Sequence, residues 1–504
     1  MRFEHVERIK RGYLASPSPE ITMIPQYPHF FGSFDWTSHS GPWRYMQEVP
    51  LVFYGPGWVR PRGDTEIGRE VTVADLAPTL AELMGTPFPD DRPGRVIDEV
   101  LVPAERRTTA PAAIVVVVWD GAGINALTRW PDAWPFLKGL IEEGANAKGA
   151  IVGSSPSLTP PVHATIGTGT FPETHGIVDI PQRVDGEIAD SYADNTASNL
   201  RVPAMAEIHD EYHDNGARIA MFGERAWLLG MIGQGAYRET GDRDVAVLVR
   251  GGKLVTNPDW YTLPDYLDDL PPIDQDVERV DAIDGELDGA WMGHPLDNPG
   301  NVTYSPVWPY YQNRISRSIL QGEDFGDDSI TDMFFTNYKA IDHVGHRYNM
   351  VNPEMEVTIE ASDEALRELV EILDETVGER RWVLALTADH GQAPDPRSVD
   401  AWPVDLNEVG ADVARRFDVE PDELIEDSRP LGMWLDPNVM ETHGITESEI
   451  ARFLLDYTIE DNVRENREVP EGYSEMMQDQ VFEAVFPSRD IPSIWDCARS
   501  RISN

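Results

Sequence analysis

Short apolar runs alternate with stretches of helical periodicity over most of this chain. Four runs have the length and the β-branched or aromatic content of buried strands: 51–54, 113–119, 333–336 and 383–387. Helical patterns occupy roughly 73–85, 133–144, 163–170, 203–215 and 354–378. This alternation predicts an α/β fold in which helices sandwich a mostly parallel central sheet. Ligands of such sheets bind beyond the carboxyl ends of the strands.

The periodicity weakens between residues 191 and 325, where Asp, Gly, Pro and Trp are frequent. We interpret this segment as a cap or insertion near the functional site. Residues 102–113 contain Pro, Thr and Ala without an apolar pattern, which predicts a linker. The segments 1–101, 114–190 and 326–504 are expected to form the core together.

Composition indicates a packed protein with a strongly acidic surface. The 504 residues include 88 acidic and 41 basic side chains, and the formal net charge is -47. A hydrophobic content of 41% and 14 Trp argue against disorder. Such acid-rich, lysine-poor surfaces resemble those of proteins from salt-loving archaea, where ionic strength screens the repulsion. The same negative field disfavours a nucleic acid duplex as a partner.

Cysteine usage and the amino-terminal sequence limit the cellular context. Cys497 is the only cysteine, which excludes an intramolecular disulfide and a thiolate metal cluster. The first residues, MRFEHVERIKRGY, lack the apolar segment of a signal peptide. There is no run of about eighteen apolar residues of the kind that spans a membrane. We therefore expect a cytoplasmic protein without a membrane partner.

Aspartate and histidine recur at the ends of the predicted strands. Asp120 ends the run 113–119, and Asp389 with His390 ends the run 383–387. In DHVGH, Asp342 and His346 are spaced so that one helical turn points both at one metal ion. Each pattern alone also occurs in ordinary surface loops, so the prediction of a metal site depends on their combination.

Thr159 is the candidate nucleophile. Pro160 and Pro161 follow it and suit the first turn of a helix. A phosphoryl group at that helix start would meet free backbone N–H groups. An ordinary helix-capping threonine explains the same residues. A nearby metal ion, which Asp120 and the Asp389–His390 pair can hold, would lower the pKa of the hydroxyl and activate it.

The combined motifs resemble the alkaline phosphatase superfamily, in particular its phosphodiesterase/nucleotide pyrophosphatase branch. The matching stretches are WDGAG at 119–123, LTPPVHATIGTGTFPETHGI at 158–177, DHVGH at 342–346 and TADHG at 387–391. The last pieces of the family pattern instead come first, as SHSGPWRYMQEVPLVFYGPG at 38–57 and TVADLAPTLAELMG at 72–85.

This order implies a circular permutant of the family. Residues 1–101 would be the displaced carboxyl-terminal segment that completes the core, and the linker 102–113 would join the old ends. In the competing interpretation, residues 1–101 form a separate module and His443 supplies the last metal ligand. We favour His39, because the sequence after His443 is an amphipathic helical pattern rather than the apolar strand of the family.

The resemblance implies a two-metal phosphohydrolase that cleaves a small-molecule phosphate ester, either a monoester or a diester, through a phosphothreonine at Thr159. One divalent metal ion would be held by His39, Asp342 and His346, and the other by Asp120, Thr159, Asp389 and His390. Oxygen and imidazole ligands suit zinc and permit manganese. The alternative is a non-catalytic ligand-binding protein on the same fold, and the complete ligand set argues against it.

Some positions depart from the family pattern. Val162 stands where the nucleotide pyrophosphatase branch commonly has an Asn that contacts a phosphate oxygen. The basic residue of monoester-specific members is not identifiable, and Cys497 does not fit the sulfatase motif. The remaining polar or aromatic candidates are expected mainly to pack within the fold: Asp35, Trp43, His163, His175 and Trp227.

Overall fold

The computed structural model describes residues 1–238, 241–463 and 469–502. The strands in these ranges are β1 (Ile21–Pro25), β2 (Phe30–Phe31), β3 (Leu51–Tyr54), β4 (Gly63–Thr65), β5 (Ala113–Trp119), β6 (Ala145–Ala147), β7 (Pro181–Val184), β8 (Glu187–Asp190), β9 (Ile219–Gly223), β10 (Val245–Arg250), β11 (Lys253–Val255), β12 (Ala290–Trp291), β13 (His294–Pro295), β14 (Asp332–Tyr338), β15 (Trp382–Thr387), β16 (Pro403–Val404), β17 (Ile425–Arg429), β18 (Gly432–Leu435) and β19 (Phe482–Pro487).

The α-helices in the same ranges are α1 (Phe3–Gly12), α2 (Arg44–Gln47), α3 (Leu76–Met84), α4 (Ile124–Arg129), α5 (Pro135–Glu143), α6 (Thr159–Thr168), α7 (Pro172–His175), α8 (Met205–Tyr212), α9 (Leu229–Ile232), α10 (Asp274–Asp281), α11 (Pro299–Thr303), α12 (Val307–Gly322), α13 (Ala340–Tyr348), α14 (Pro353–Leu373), α15 (Leu406–Phe417), α16 (Pro421–Leu424), α17 (Pro437–His443), α18 (Glu447–Leu455) and α19 (Ile491–Ile502). None of them is both long and apolar enough to cross a membrane.

A nine-stranded sheet forms the centre of the molecule, in the order β11-β10-β9-β14-β5-β15-β3-β6-β4. The strands from β10 to β15 in this order are all parallel to one another. Every residue of β5, β14 and β15 is buried. Because successive side chains point to opposite faces, helices and loops must cover the sheet on both sides. The predicted α/β class with a mostly parallel sheet is confirmed.

The four strands predicted from the apolar runs all lie in this sheet. β3 comes from the amino-terminal segment and pairs with β15 in antiparallel orientation, with Leu51 opposite Thr387. Its other edge pairs with β6. The helix predicted from 163 begins earlier, at Thr159, because Pro160 and Pro161 occupy its first turn, where no backbone donor is needed.

Part of the segment 191–325 differs from the expected cap. β9 and β10 lie within it, yet they extend the central sheet beyond β14. The interpretation of the whole segment as a cap was therefore too broad. The sequence IAMFG of β9 contains one β-branched residue, so composition gave little indication of a strand.

A second, four-stranded sheet has the order β17-β18-β1-β19 and its own apolar core. Its strand β1 comes from the amino-terminal segment and pairs with β18 and β19, which lie far away in sequence. The helices α1 and α19 also approach each other, since the rings of Phe3 and Trp495 lie 6.5 Å apart. The amino-terminal segment thus takes part in both sheets.

Candidate active site

Polar residues follow three neighbouring parallel strands of the central sheet, at the carboxyl ends of these strands. Asp120 follows β5, Lys339 follows β14, and the Asp389–His390 pair lies just beyond β15. The backbone N–H of Asp120 donates to the carbonyl of Tyr338, which holds the ends of β5 and β14 side by side. The strand order therefore places these side chains together at the carboxyl edge, where ligands of such sheets bind.

Helix α13 starts directly after Lys339 and contributes two further candidates. Asp342 and His346 are one turn apart on this helix, and His346 Nε2 lies 3.3 Å from Asp342 Oδ1. The Nδ1–H of His346 donates to the carbonyl of Thr37 at 2.6 Å, which leaves Nε2 as the free nitrogen. The predicted pairing of these residues on one helical face is present in the structure.

His39 reaches the same place from the loop between β2 and α2. Its Nδ1–H donates to the carbonyl of Ser157 at 3.2 Å, and its Nε2 lies 3.6 Å from Asp342 Oδ1. The hydroxyl of Thr37 donates to the carbonyl of Gly345, so the loop is attached to α13 beside the site. His443, the competing candidate, is exposed at the end of α17.

The three aspartates each use one carboxylate oxygen for structural hydrogen bonds. Asp120 Oδ2 accepts from Asn337 and from Lys339 Nζ, both at 2.8 Å. Asp342 Oδ2 also accepts from Lys339 Nζ at 2.8 Å, and Asp389 Oδ1 accepts from the backbone N–H of Gly121 at 3.0 Å.

Gly121 makes the last of these bonds with a φ of 72°. A Cβ at this position would lie 2.2 Å from Gln392 Nε2, so a larger residue would collide with its neighbour. Glycine is therefore required for this approach of the backbone to Asp389.

Four further candidate metal-ligand atoms of the site are buried and have no hydrogen-bond partner among the described residues. They are Asp120 Oδ1, Asp342 Oδ1, Asp389 Oδ2 and His390 Nε2. Buried polar atoms are rarely left unpaired, and three carboxylate oxygens beside an imidazole nitrogen are typical ligands of a divalent metal ion. The residues present therefore fit metal binding.

The ligand atoms form two overlapping groups, in each of which all atoms lie within 4.8 Å of one another. One group contains His39, Asp342 and His390, and the other contains Asp120, Asp389 and His390. His390 thus belongs to both groups, whereas the prediction assigns it to the second alone. His346, which is predicted with His39 and Asp342, belongs to neither group, although its Nε2 lies 3.3 Å from Asp342 Oδ1. Two such groups side by side are the kind of ligand arrangement that a pair of metal ions requires.

Thr159 begins α6 and is 3% exposed. Its Oγ1 lies 3.5 Å from Lys339 Nζ. His163 links the threonine to the carboxylates, because its Nδ1–H donates to the carbonyl of Thr159 at 2.7 Å and its Nε2 accepts from Asn337 at 3.1 Å. Asn337 in turn donates to Asp120, so the nucleophile candidate and the ligand set belong to one hydrogen-bond network.

The charges of the site stabilise one another. Burial alone would lower the pKa of Lys339, but the carboxylates of Asp120 and Asp342 outweigh it and raise that pKa. Burial would raise the pKa of Asp342, but the Lys339 ammonium holds it well below its usual range. Burial, followed by the neighbouring His390, lowers the pKa of His39, so its imidazole is neutral and can act as a ligand.

Sequence reasoning missed Lys339 and Asn337. The available signal was that Lys339 is one of only five lysines and stands between a predicted strand and Asp342. Trp227 lies over Lys339, with 5.6 Å between Nζ and the ring centroid, so it borders the site. The other minor candidates lie elsewhere: the Asp35 side chain is 96% exposed, Trp43 packs against His5, and His175 contacts Thr165.

Comparisons with known proteins identify a matching family and several similar proteins. A family model described as type I phosphodiesterase / nucleotide pyrophosphatase matches residues 114–504. A Myroides odoratus protein named calcium-transporting ATPase is 21% identical over 417 residues, which cover 69% of this chain and 73% of that protein. A Schizosaccharomyces pombe protein named as an uncharacterized pyrophosphatase/phosphodiesterase is 22% identical over 387 residues, covering 76% of this chain and 60% of that protein.

Among solved structures, wild-type alkaline phosphatase PafA superposes with a TM-score of 0.52 at 16% identity. The superposition covers 75% of this chain and 84% of the PafA chain. At this level of identity the likeness is one of fold.

Proposed function

Because the chain belongs to the type I phosphodiesterase / nucleotide pyrophosphatase family, we propose that it hydrolyses phosphoric esters at a pair of divalent metal ions, with Thr159 as the nucleophile. The observation that carries this proposal is a set of buried ligand atoms on Asp120, Asp342, Asp389 and His390 that have no hydrogen-bond partner within the described part of the chain. Lys339, which contacts Asp120 and Asp342, also lies 3.5 Å from Thr159 Oγ1.

The proposed ligand sets extend the two groups of the site: they assign His390 to one ion alone, and they add Thr159 and also His346, whose Nε2 lies 3.3 Å from Asp342 Oδ1. His39, Asp342 and His346 would hold one ion, and Asp120, Thr159, Asp389 and His390 the other. All donors are oxygen or imidazole nitrogen, which favours zinc and permits manganese. A pair of such ions supplies positive charge at the attacking and leaving oxygens of an in-line displacement.

Thr159 would carry the covalent step. Its hydroxyl loses its proton as the new bond to phosphorus forms, the bond between phosphorus and the ester alcohol breaks, and the alcohol departs with a proton. Water then cleaves the phosphothreonine, which releases phosphate and restores the hydroxyl. The position of Thr159 at the start of α6 supports this role, because the free N–H groups there can receive phosphoryl oxygens.

Lys339 indicates which esters are preferred. Its ammonium lies 3.5 Å from Thr159 Oγ1, whereas Val162 offers no donor at the position of the family's asparagine. A monoester carries one more negative charge on its phosphoryl oxygens than a diester does. A buried ammonium beside the nucleophile therefore favours monoesters, because charge pairing is strong in a site that excludes water.

The amino-terminal segment supports the proposal of a circular permutation. His39 and β3, both within residues 1–101, lie in the ligand set and in the central sheet. The family model begins its match at residue 114, after this segment and the linker. We also propose that the protein works at high ionic strength, because a net charge of -47 repels itself least where salt screens it.

The proposal can be tested with p-nitrophenyl phosphate. Protein stripped of metal by a chelator should be inactive, and zinc or manganese should restore turnover. Restored protein that binds two metal ions per chain but releases no p-nitrophenol from any phosphoric ester would instead support a binding protein.

A further inference from the structure

A large cavity opens beside the candidate active site. Its volume is about 1030 Å³, at the upper end of the sizes found for small-molecule sites. Trp227 lines this cavity and also lies over Lys339. Thr303 lines it too, and its carbonyl accepts the Nδ1–H of His343, the neighbour of Asp342. The cavity therefore lies beside α13, the helix that carries Asp342 and begins directly after Lys339.

Glu224 projects from the same sheet edge as the active-site residues. It follows β9 directly, and β9 pairs in parallel with β14, the strand that ends before Lys339. Asp120, Lys339 and Glu224 thus follow three consecutive strands of the sheet. Glu224 lines the cavity, although it contributes to neither group of ligand atoms.

The Glu224 carboxylate is buried without a full set of hydrogen bonds. Glu224 is 8% exposed, and its Oε2 has no hydrogen-bond partner within the described residues. Arg225 Nε lies 3.7 Å from the other oxygen, Oε1, and His343 Nδ1, which lies 3.7 Å from Oε2, already donates to Thr303. A buried carboxylate oxygen is costly to leave unpaired, so this atom is suited to accept a hydrogen bond from a ligand.

Trp308 provides the complementary group in the same cavity. It is 8% exposed, and its indole N–H finds no hydrogen-bond acceptor among the residues that the structure covers. Tyr311 and Trp227 add flat aromatic surface to the lining. A ligand that offers both a donor and an acceptor, on a ring that can lie against aromatic faces, matches this lining.

The charges of the side chains that line the cavity restrict the chemical class of the ligand further. Five carboxylates and two guanidinium groups surround the cavity. This excess of negative charge opposes a second phosphate or another anion on the ligand, since like charges in a partly desolvated pocket repel strongly. Neutral hydroxyl groups avoid this repulsion. They can also donate hydrogen bonds to carboxylates and accept one from an indole N–H.

We propose that this cavity is the subsite for the alcohol part of the ester, and that Glu224 and Trp308 select a polyhydroxylated alcohol such as a sugar or a cyclic polyol. The inference rests on the proposed hydrolysis of phosphoric esters at the adjacent site. It adds the class of the leaving alcohol, which neither the family nor the metal ligands define.

A matched pair of substrates tests the proposal. Glucose 6-phosphate and cyclohexylmethyl phosphate have similar size and the same ester geometry, but the second lacks the hydroxyl groups. The wild-type enzyme should favour glucose 6-phosphate in kcat/KM by roughly 10- to 100-fold, the range expected of one hydrogen bond to a charged group. Glu224→Met should bring that ratio close to one, and Glu224→Gln should lower it less.

Two further variants test whether the change in the kcat/KM ratio is specific to the side chains that we propose. Trp308→Phe keeps the ring but removes the donor, and should reduce the same ratio. Asp35→Asn removes an exposed carboxylate outside the cavity and should leave the ratio near the wild-type value. A wild-type enzyme that turns over both substrates equally, or a Glu224→Met variant that slows both in the same proportion, would overturn the proposal.

Binding provides a second readout that needs no turnover. Calorimetry on metal-loaded Thr159→Ala protein should show tighter binding of glucose 6-phosphate than of cyclohexylmethyl phosphate, and Glu224→Met in the same background should remove the difference. Equal binding in the Thr159→Ala protein would contradict the subsite. If p-nitrophenyl phosphate is not hydrolysed while this binding difference is present, the proposed function fails and the subsite stands.

Discussion

The imidazole rings of His39 and His390 stack face to face, with 3.4 Å between their centroids and 9° between their planes. The two residues come from distant parts of the chain, yet both Nε2 atoms approach Asp342 Oδ1, at 3.6 Å and 3.8 Å. The Nε2 atoms of the two stacked rings thus face the same carboxylate oxygen. His39 therefore lies among the candidate ligands although it precedes every other candidate in the sequence.

The contribution of His39 can be measured by metal analysis. His39→Ala should reduce the metal content from about two ions per chain towards one, and should remove most of the activity, because each ligand of a catalytic metal is normally required. His443→Ala is the matched control, since this histidine is exposed on α17. Unchanged metal content in the His39→Ala protein would contradict the ligand assignment.

Thr159→Ala should lower kcat for p-nitrophenyl phosphate by at least about 1000-fold, as expected when a covalent nucleophile is removed. Thr159→Ser keeps a hydroxyl and should retain measurable turnover. Metal content and melting temperature should change little in either protein. Activity of more than about a few per cent in Thr159→Ala would direct attention to Ser157, whose buried hydroxyl also has no hydrogen-bond partner among the described residues.

Lys339 should control the preference between monoesters and diesters. Lys339→Met should lower kcat/KM for p-nitrophenyl phosphate by about 100- to 1000-fold, the effect of losing one charged group that stabilises the transition state. The loss for bis-p-nitrophenyl phosphate should be much smaller, because the diester carries less charge. Lys339→Arg keeps the charge and serves as the control. Equal losses for both substrates would show that the lysine only supports Asp120 and Asp342.

Salt should stabilise the fold strongly. The range of electrostatic repulsion shrinks from about 10 Å at 0.1 M salt to about 3 Å at 1 M. With a net charge of -47, the melting temperature should therefore rise steeply between 0.1 and 2 M KCl. Sucrose at matched osmolality is the control, because it adds no ions. A melting temperature that is flat in KCl would refute the proposal of a working environment of high ionic strength.

Asp179 should make stability depend on pH. Burial raises the pKa of its carboxyl to about 7, whereas an unfolded aspartate titrates near 3.9. Between these values the folded state holds a proton that the unfolded state has lost, so stability falls as pH rises from about 4 to about 7. Asp179→Asn removes this loss and should raise the free energy of unfolding at pH 8, by at most about 4 kcal/mol.

Measuring the free energy of unfolding at two pH values distinguishes the titration of Asp179 from other effects of the substitution. At pH 4 the carboxyl is protonated in the native protein, so Asp179→Asn should have little effect on chemical denaturation there. A substitution that is equally stabilising at pH 4 and pH 8 would show that titration of Asp179 is not its cause.

The central sheet could be predicted because its strands are encoded locally. The run AIVVVVW of β5 and the run VLALT within β15 contain enough branched and apolar residues to be recognised without their neighbours. The metal ligand candidates could be predicted for the related reason that Asp120, Asp389 and His390 follow such runs directly.

The second sheet could not be predicted, because its strands are defined by pairing between distant segments. β1 contains ITMIP, which has no clear alternation, and it becomes a strand only between β18 and β19. Lys339 was missed for a similar reason. Its importance comes from the carboxylates of Asp120 and Asp342, which converge on its ammonium only in the folded protein.

Because β3 lies between β6 and β15 in the sheet, the candidate active site can be completed only late in translation. The ribosome makes His39 and β3 early, but Asp342, which His39 approaches, and β15, which pairs with β3, are made much later. The last candidate ligands, Asp389 and His390, follow β15. A nascent chain shorter than this has an unpaired edge on β3, which is the kind of surface that chaperones protect. The candidate ligand set is therefore complete only after most of the polypeptide has been synthesised.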